Sequence, residues 1–418
     1  MDSKILELIA KDYGTPTYVY DESKIRENFR SFRDAFKSRY EKVKIFYAYK
    51  ANSNLVILKI LAREGAKADT VSIGEILAAL KVGLRGEDII FTNNAKTEEE
   101  IEIALKNDVI INADSIQELY DINSIARRYS KKAKISIRVN PSIDAKTNPK
   151  IATGLKESKF GIHLDSGDAF KAYRIAKELG NLEIVGIHTH IGSQITSKEP
   201  FIEATEKLMA FVEKLKKNLN IELSFVNLGG GIGIKYRDDD EIPSIEEFAE
   251  AIVSKFKEFL PKLGYEPELW LEPGRYIVGN AGYLLCRVVN VKETKYKNFI
   301  CVDAGFNVLL RPAMYDAYHR IEILGKENKA KIKKYDIVGN ICESGDVFAR
   351  DRELPLVEKG DILVIYDVGA YGFSMASNYN LRPRPAEVLV WENSAEIIRE
   401  RESYEDLFSK QKIPRDLE

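Results

Sequence analysis

Short β-branched and apolar runs alternate with segments of helical periodicity from about residue 43 to residue 272. This alternation is typical of repeated strand–helix units around a parallel sheet. The runs that we interpret as strands span residues 44–47, 68–71, 89–92, 109–112, 135–139, 184–188, 225–228 and 269–271. Because eight successive strand–helix units close a β/α barrel, the sequence predicts an α/β fold with a TIM-type barrel.

Residues with distinctive chemistry fall at the ends of these predicted strands. Lys50 follows the first strand, and Asp69 lies in the second. His190 follows the sixth strand, Gly229–Gly231 follow the seventh, and Glu272 follows the eighth. In a β/α barrel, catalytic groups lie at the carboxyl ends of the strands. We therefore expect these residues to share one site.

The pattern changes after Gly282 to alternating strands separated by Gly, Asn, Asp and Pro turns, which indicates a β domain. The early run Thr17–Tyr20 precedes the barrel and can add a strand to that domain. We predict a barrel domain at residues 22–282 and a β-rich domain that combines residues 1–21 with residues 283–418, completing the site.

Charge and cysteine content limit the class of protein. Lys and Arg number 63 against 65 Asp and Glu, and this balance lacks the basic excess that nucleic-acid binding needs. No apolar stretch approaches the ~18 residues of a membrane span, and the first segment is charged and amphipathic. The three cysteines, Cys286, Cys301 and Cys342, are far apart, which is typical of reduced thiols. We expect a cytoplasmic protein with no nucleic-acid or membrane partner.

The glycine run Gly229–Gly233 after the seventh strand suits an anion, because consecutive backbone N–H groups can approach a phosphate where side chains are missing. Ile234 stands where a dinucleotide-binding GxGxxG pattern would need glycine. A tight strand-to-helix turn is the alternative interpretation.

Three further features suggest chemistry, each with a simpler alternative. Glu272 and Arg275 flank Pro273–Gly274. One interpretation is that the Glu272 carboxylate keeps a ring nitrogen protonated, and the alternative is that the two residues form a structural ion pair. His188 and His190 share one face of a strand, which can bind a metal in other barrels, although a packed or stacking His190 is simpler. We predict no metal. Lys50, in an aromatic setting, is a candidate nucleophile toward an aldehyde, whereas most lysines are solvated.

Taken together, these motifs resemble the fold-type III decarboxylases that depend on pyridoxal 5'-phosphate (PLP), with an alanine-racemase-like fold of a barrel plus a C-terminal β domain. The resemblance runs over nearly the whole chain. The matching segments are residues 13–16, 47–52, 68–75, 138–141, 158–161, 188–194, 229–233, 272–275, 311–315, 342–346, 369–372 and 380–384.

The resemblance implies a role for each site residue. Lys50 forms the covalent link to PLP, His190 stacks on the pyridine ring, and Glu272 pairs with the ring nitrogen. The other implied cofactor residues are Asp69, Ser193, Gly230, Gly231, Gly233, Pro273, Gly274, Arg275 and Tyr371. The implied substrate residues are Arg275, Arg311, Tyr315, Glu343 and Tyr371. Cys342 is the implied proton donor, and it reaches with Glu343 into the active site of a neighbouring subunit, which makes the functional unit a homodimer.

Specificity depends on the far end of the substrate. Diaminopimelate carries an amino and a carboxyl group there, and Arg311, Tyr315 and Glu343 can supply the matching cation and anion. The segments Ile151–Gly154 and Cys342–Asp346 resemble the members that act on this substrate. We therefore expect decarboxylation of meso-2,6-diaminopimelate to L-lysine and CO2, the last step of lysine biosynthesis.

Three alternatives remain open at this point. The first is a related PLP decarboxylase that acts on carboxynorspermidine, arginine or ornithine. The second is a metal-dependent barrel hydrolase that uses His188 and His190. The third is a catalytically inactive family member that serves only as a binding partner.

Overall fold

The computed structural model describes residues 1–145, 147–392 and 394–417. The chain divides into two compact units. We call residues 26–235 with residues 241–277 the barrel unit. We call residues 1–25, 236–240 and 278–418 the β-rich unit.

The strands and helices follow in chain order. The strands are β1 (Thr17–Asp21), β2 (Val43–Ala48), β3 (Lys67–Thr70), β4 (Ile89–Thr92), β5 (Ile110–Ala113), β6 (Ala133–Asn140), β7 (Ile162–His163), β8 (Leu182–His188), β9 (Phe225–Asn227), β10 (Glu268–Leu271), β11 (Gly282–Glu293), β12 (Asn298–Val302), β13 (Ile321–Ile323), β14 (Lys333–Val338), β15 (Val347–Leu354), β16 (Ile362–Tyr366), β17 (Ala386–Trp391) and β18 (Ser394–Arg399). The helices are α1 (Ser3–Asp12), α2 (Glu22–Lys37), α3 (Leu55–Arg63), α4 (Ile73–Lys81), α5 (Glu98–Lys106), α6 (Ile116–Arg128), α7 (Asp168–Glu178), α8 (Glu199–Leu219), α9 (Ile245–Lys257), α10 (Leu260–Leu263), α11 (Arg275–Val278), α12 (Arg311–Tyr315) and α13 (Tyr404–Phe408).

The barrel unit contains a closed parallel sheet. Its strand order is β5-β4-β3-β2-β10-β9-β8-β6, and pairing of β5 with β6 closes the circle. The eight strands are those predicted from the sequence, with ends that differ by at most two residues. The short strand β7 beside β6 was not predicted, because a two-residue run carries no periodicity. The predicted TIM-type barrel is confirmed.

The barrel core includes a buried aromatic cluster. Phe46, Phe225 and Trp270 stack together with Ile90, Ile110 and Val185, so six strands contribute side chains that can meet only inside the closed sheet. Gly186 makes room for this stack, since a Cβ there would lie 2.2 Å from the Phe225 ring. The starts of α3, α4, α5, α6 and α9 are capped by side chains, and α5 and α9 each begin with a full capping box.

The β-rich unit contains a mixed sheet of nine strands. The main order is β15-β14-β12-β11-β1-β17-β18, with β16 pairing to β11 and β13. Strand β1 lies antiparallel to β11 and parallel to β17, so the early run Thr17–Tyr20 pairs with strands more than 260 residues later. Apolar residues of α1 pack on this sheet against Val19, Leu285 and Val388. No helix in the described ranges is long and apolar enough to cross a membrane.

Candidate active site

Lys50 lies in a short 3-10 turn, Tyr49–Ala51, directly after β2. Its amine is paired with the carboxylate of Asp69, near the end of the neighbouring strand β3. Asp69 is fully buried, and its other oxygen, Oδ1, has no hydrogen-bond partner among the described residues. Burial and the nearby Glu272 raise the pKa of Asp69, while Lys50 draws it down. The lysine therefore stands at the carboxyl end of the barrel with a carboxylate to orient it.

Glu272 follows β10 and is 4% exposed. Its Oε2 lies 3.0 Å from Nε2 of His188, and its Oε1 accepts a hydrogen bond of 2.7 Å from Asn227 Nδ2. Burial by itself raises the pKa of Glu272, but the interactions with His188 and Lys50 outweigh burial and lower it to about 2. Glu272 is therefore a buried carboxylate that stays ionised.

His190 lies two residues beyond β8. The backbone N–H of Gly230 donates a hydrogen bond of 3.2 Å to its Nδ1. Burial, followed by repulsion from Lys50 and Arg138, holds the pKa of His190 well below its usual value. The imidazole is therefore neutral, and its Nδ1 is an acceptor.

The glycine loop after β9 packs closely against its neighbours. A Cβ on Gly230 would lie 2.0 Å from the carbonyl oxygen of Glu272. Gly231 has a φ of 116°, and a Cβ there would lie 2.4 Å from the carbonyl oxygen of Gly192. The loop also exchanges backbone hydrogen bonds with Ile195, which brings it beside the segment that contains Ser193. Only glycine fits at these positions.

A hydroxyl and a guanidinium meet in the same unit. Nη2 of Arg275 donates a hydrogen bond of 3.1 Å to Oγ of Ser193. Arg275 is buried at the start of α11, in the segment that also holds Pro273 and Gly274. Gly274 lies against the end of β2, where a Cβ would come within 3.0 Å of Ala51.

The sequence interpretation missed several residues of the barrel site. Asn227 binds Glu272, and Arg138 lies close enough to interact electrostatically with Glu272 and Asp69. Glu75 accepts a hydrogen bond of 2.8 Å from the backbone of Val71, and burial raises its pKa to about 7. Asn227 is the last residue of β9, so a polar residue at the carboxyl end of a predicted strand was the signal that could have identified it.

The β-rich unit holds the other predicted site residues. Arg311 is buried at the start of α12, and its Nη1 lies 2.8 Å from Nε2 of His319. His319 Nδ1 lies 2.8 Å from the carbonyl oxygen of Tyr366, so Nδ1 donates there and Nε2 accepts from Arg311. The guanidinium also lies 4.8 Å from the ring centroid of Tyr236. Arg311 is thus held by groups that the sequence did not reveal.

Tyr315 ends the same short helix and is half-buried. Tyr371 is also half-buried, and its φ of 58° lies in the left-handed region. Strain of this kind in a residue other than glycine is common at functional sites.

Cys342 and Glu343 lie together on an exposed turn. The backbone N–H of Cys342 donates to Oδ1 of Asn380 over 3.1 Å, and Tyr379 donates to Glu343 over 2.6 Å. Tyr379 in turn stacks on Phe306. Cys342 is therefore an exposed thiol and not part of the hydrophobic core.

The barrel donor set matches PLP chemically. An amine suits the aldehyde, an ionised carboxylate suits a protonated ring nitrogen, and a neutral imidazole suits the ring face. The hydroxyl of Ser193 and the guanidinium of Arg275 beside the glycine loop suit a phosphate. No group of three or more His, Cys, Asp or Glu residues suited to a metal occurs in the described part of the chain.

Comparison with known proteins identifies the family. The family model for the pyridoxal binding domain of pyridoxal-dependent decarboxylases matches residues 22–279. The diaminopimelate decarboxylase of Archaeoglobus fulgidus is 46% identical over 411 residues, which cover 98% of this chain and 96% of that protein. The chain belongs to the diaminopimelate decarboxylase family.

Solved structures of the family have the same fold. The Methanocaldococcus jannaschii enzyme in complex with L-lysine superposes with a TM-score of 0.93 at 45% identity, covering 98% of this chain and 95% of that one. The Helicobacter pylori enzyme with L-lysine gives a TM-score of 0.90 at 43% identity, covering 97% and 98%. The expected fold-type III PLP decarboxylase, a carbon–carbon lyase, is confirmed.

Proposed function

We propose that this protein decarboxylates meso-2,6-diaminopimelate to L-lysine and CO2 with PLP as its cofactor, the last step of lysine biosynthesis. The observation that carries the proposal is the group Lys50, His190 and Glu272 at one end of the barrel, in a chain whose relatives along its whole length are diaminopimelate decarboxylases. Two of those relatives were solved with L-lysine, the product of this reaction.

The barrel residues have distinct proposed roles. When bound, PLP supplies an electron sink for the carbon that loses its carboxylate. Lys50 holds the cofactor, and Asp69 orients the amine with which it is paired. Glu272 holds the ring nitrogen in its protonated form, because a buried carboxylate with a pKa of about 2 remains negative across the working range. His190 covers the ring face as a neutral group and adds no competing charge.

The phosphate contacts are proposed for the glycine loop and its neighbours. Ser193 and Arg275 supply a hydroxyl and a guanidinium that are already hydrogen-bonded to each other. Gly230, Gly231 and Gly233 supply backbone N–H groups, while Pro273 and Gly274 set the approach of Arg275. Tyr371 is proposed as a further cofactor-binding residue.

The far end of the substrate is proposed to bind Arg311, Tyr315 and Glu343. Arg275 and Tyr371 are proposed as further substrate-binding residues. Arg311 recognises the distal carboxylate, and its guanidinium is held by His319 and Tyr236 before substrate arrives. A guanidinium whose position is fixed in advance loses less entropy on binding. Glu343 supplies the negative charge for the distal ammonium group.

Cys342 is the proposed proton donor. The bond between the α-carbon and its carboxyl carbon breaks, CO2 leaves, and the remaining electron pair takes the proton from Sγ of Cys342. Because Cys342 and Glu343 are exposed, they can reach another chain, and we propose a homodimer with shared active sites that the β-rich domain completes. The free thiols of Cys286, Cys301 and Cys342 favour a cytoplasmic location.

The decisive experiment measures CO2 release by PLP-loaded protein with meso-diaminopimelate, ornithine, arginine and carboxynorspermidine in parallel. We expect release from diaminopimelate alone and none from Lys50→Ala. Release from another substrate only would overturn the roles given to Arg311 and Glu343. No CO2 release from any of the four substrates would refute the enzyme proposal.

Subunit mixing tests the shared site. Lys50→Ala and Cys342→Ala proteins are each expected to be nearly inactive, and mixed dimers are expected to regain part of the activity. Cys342→Ala should still bind PLP. No recovery after verified subunit exchange, or an undiminished rate in Cys342→Ala alone, would contradict this part of the proposal.

A further inference from the structure

Both oxygens of the Glu272 carboxylate are already engaged by neighbouring strands. His188 ends β8, Asn227 ends β9, and Glu272 follows β10, the next strand in the barrel. His188 and Asn227 are direct partners in the parallel register. Nε2 of His188 lies 3.0 Å from Oε2, and Nδ2 of Asn227 lies 2.7 Å from Oε1. Since an ionised carboxylate only accepts hydrogen bonds, both neighbours donate.

The amide of Asn227 has a fixed orientation. Its Oδ1 accepts a hydrogen bond of 2.9 Å from the backbone N–H of Gly229, which turns Nδ2 toward Glu272. The Glu272 backbone N–H donates to the carbonyl oxygen of Gly229 over 2.8 Å. The glycine loop and the carboxylate are thus tied together through one asparagine.

The side chain of His188 makes one hydrogen bond among the described residues. The residue is fully buried, and its Nδ1 has no hydrogen-bond partner among the residues that the structure describes. The contact with Glu272 is therefore the one hydrogen bond of this imidazole within the described chain, although the ring also interacts electrostatically with Asp69 and His190. An unpaired nitrogen in a buried side chain costs free energy. The hydrogen bond to Glu272 is therefore the contact that gives this buried histidine a function.

Other charges compete for Glu272. Lys50 interacts with it electrostatically, and so does Arg138. The remaining titratable neighbours are Asp69 and His190. In a site of low dielectric, a carboxylate free to rotate would turn toward the nearest cation. Two hydrogen bonds from fixed strands prevent that rotation.

We propose that His188 and Asn227 are positioning residues that clamp the Glu272 carboxylate and reserve its charge for the ring nitrogen of PLP. The inference rests on the proposed function, because it requires Glu272 to be the partner of that nitrogen. It predicts that loss of either donor leaves the cofactor bound but weakens protonation of its ring.

The test is the 15N chemical shift of the ring nitrogen in protein loaded with 15N-labelled PLP. We expect a protonated nitrogen in the unmodified protein, and a shift toward the unprotonated value in His188→Leu and in Asn227→Leu. Turnover should fall about ten- to a hundredfold, the worth of one hydrogen bond to a charged group, while KM changes little. His188→Gln, which keeps an N–H donor, should restore both the nitrogen shift and most of the turnover.

A Glu272→Ala reference separates this inference from the proposed function. If Glu272→Ala leaves the nitrogen shift unchanged, the role of Glu272 in the proposed function is wrong. If Glu272→Ala changes the shift but neither leucine variant does, the clamp is refuted and the proposed function stands. Should His188→Leu fail to fold, Asn227→Leu gives the same test, and a His188→Gln protein with an unprotonated ring would also overturn the proposal.

Discussion

Replacing Gly230 by alanine tests whether the contact between the glycine loop and Glu272 controls the site. The added Cβ would lie 2.0 Å from the carbonyl oxygen of Glu272, whereas real Cβ contacts stay beyond 3.0 Å. The backbone of one segment must therefore move by about 1 Å. Overpacking of this kind destabilises a fold by about 1–3 kcal/mol. A displacement of about 1 Å at a catalytic group lowers turnover by about a hundredfold.

The assay combines thermal unfolding with turnover at saturating PLP. At roughly 1 °C per kcal/mol for a chain of 418 residues, the expected loss of stability lowers the melting temperature of Gly230→Ala by about 1–3 °C. Gly180→Ala is the matched control, because no atom lies within 4 Å of its added Cβ. A surface change of this kind should stay within about 0.5 kcal/mol of the unmodified protein.

The refuting result is also specific. If Gly230→Ala melts early but decarboxylates at the normal rate, the packing argument holds while the link from the loop to Glu272 fails. If it neither melts early nor slows, the close approach itself is wrong.

Three other predictions follow from buried charges. Lys96→Met removes the cation that lies 2.5 Å from Glu118 and should lower the free energy of unfolding, measured in urea, by about 3–5 kcal/mol. The double variant with Glu118→Leu should recover part of the loss, and an unchanged urea midpoint in Lys96→Met would contradict this prediction. Burial raises the pKa of Glu75 from its ordinary 4.5 to about 7, so its contribution to stability is greatest below pH 4.5 and is lost as the pH rises through 7. The melting temperature of the unmodified protein relative to Glu75→Gln should therefore decline over that interval, and parallel curves would refute the shift. His319→Leu removes one hydrogen-bond partner of the Arg311 guanidinium and should raise KM for diaminopimelate about tenfold with PLP affinity unchanged, whereas an unaltered KM would exclude this role.

The barrel was predictable from the sequence because each of its strands leaves a local signal. Runs such as Ile89–Thr92 are buried along their whole length, as parallel strands covered on both faces must be. Their order along the chain, with Lys50 after the first and Glu272 after the last, places the reactive residues at one end of the barrel once closure is assumed. Periodicity and spacing therefore determined the fold class and placed Lys50 and Glu272 at one end of the barrel, whereas the roles of the site residues came from the resemblance to a known family.

The tertiary structure alone decided which of those residues act on one another. His188 was considered as a metal ligand, yet its ring is hydrogen-bonded to Glu272, because the strand order of the sheet places β8 and β10 on either side of β9. His319 gave no local signal that distinguished it from other polar residues, and the position of Asn227 at the end of a strand did not reveal its partner. Their roles come from partners 8 and 45 residues away, respectively. The pKa values of Glu272 and His190 likewise depend on burial and on charges from other strands. The sequence pattern indicates which residues face the barrel interior, but the distances between side chains of different strands are set only when the sheet folds and closes.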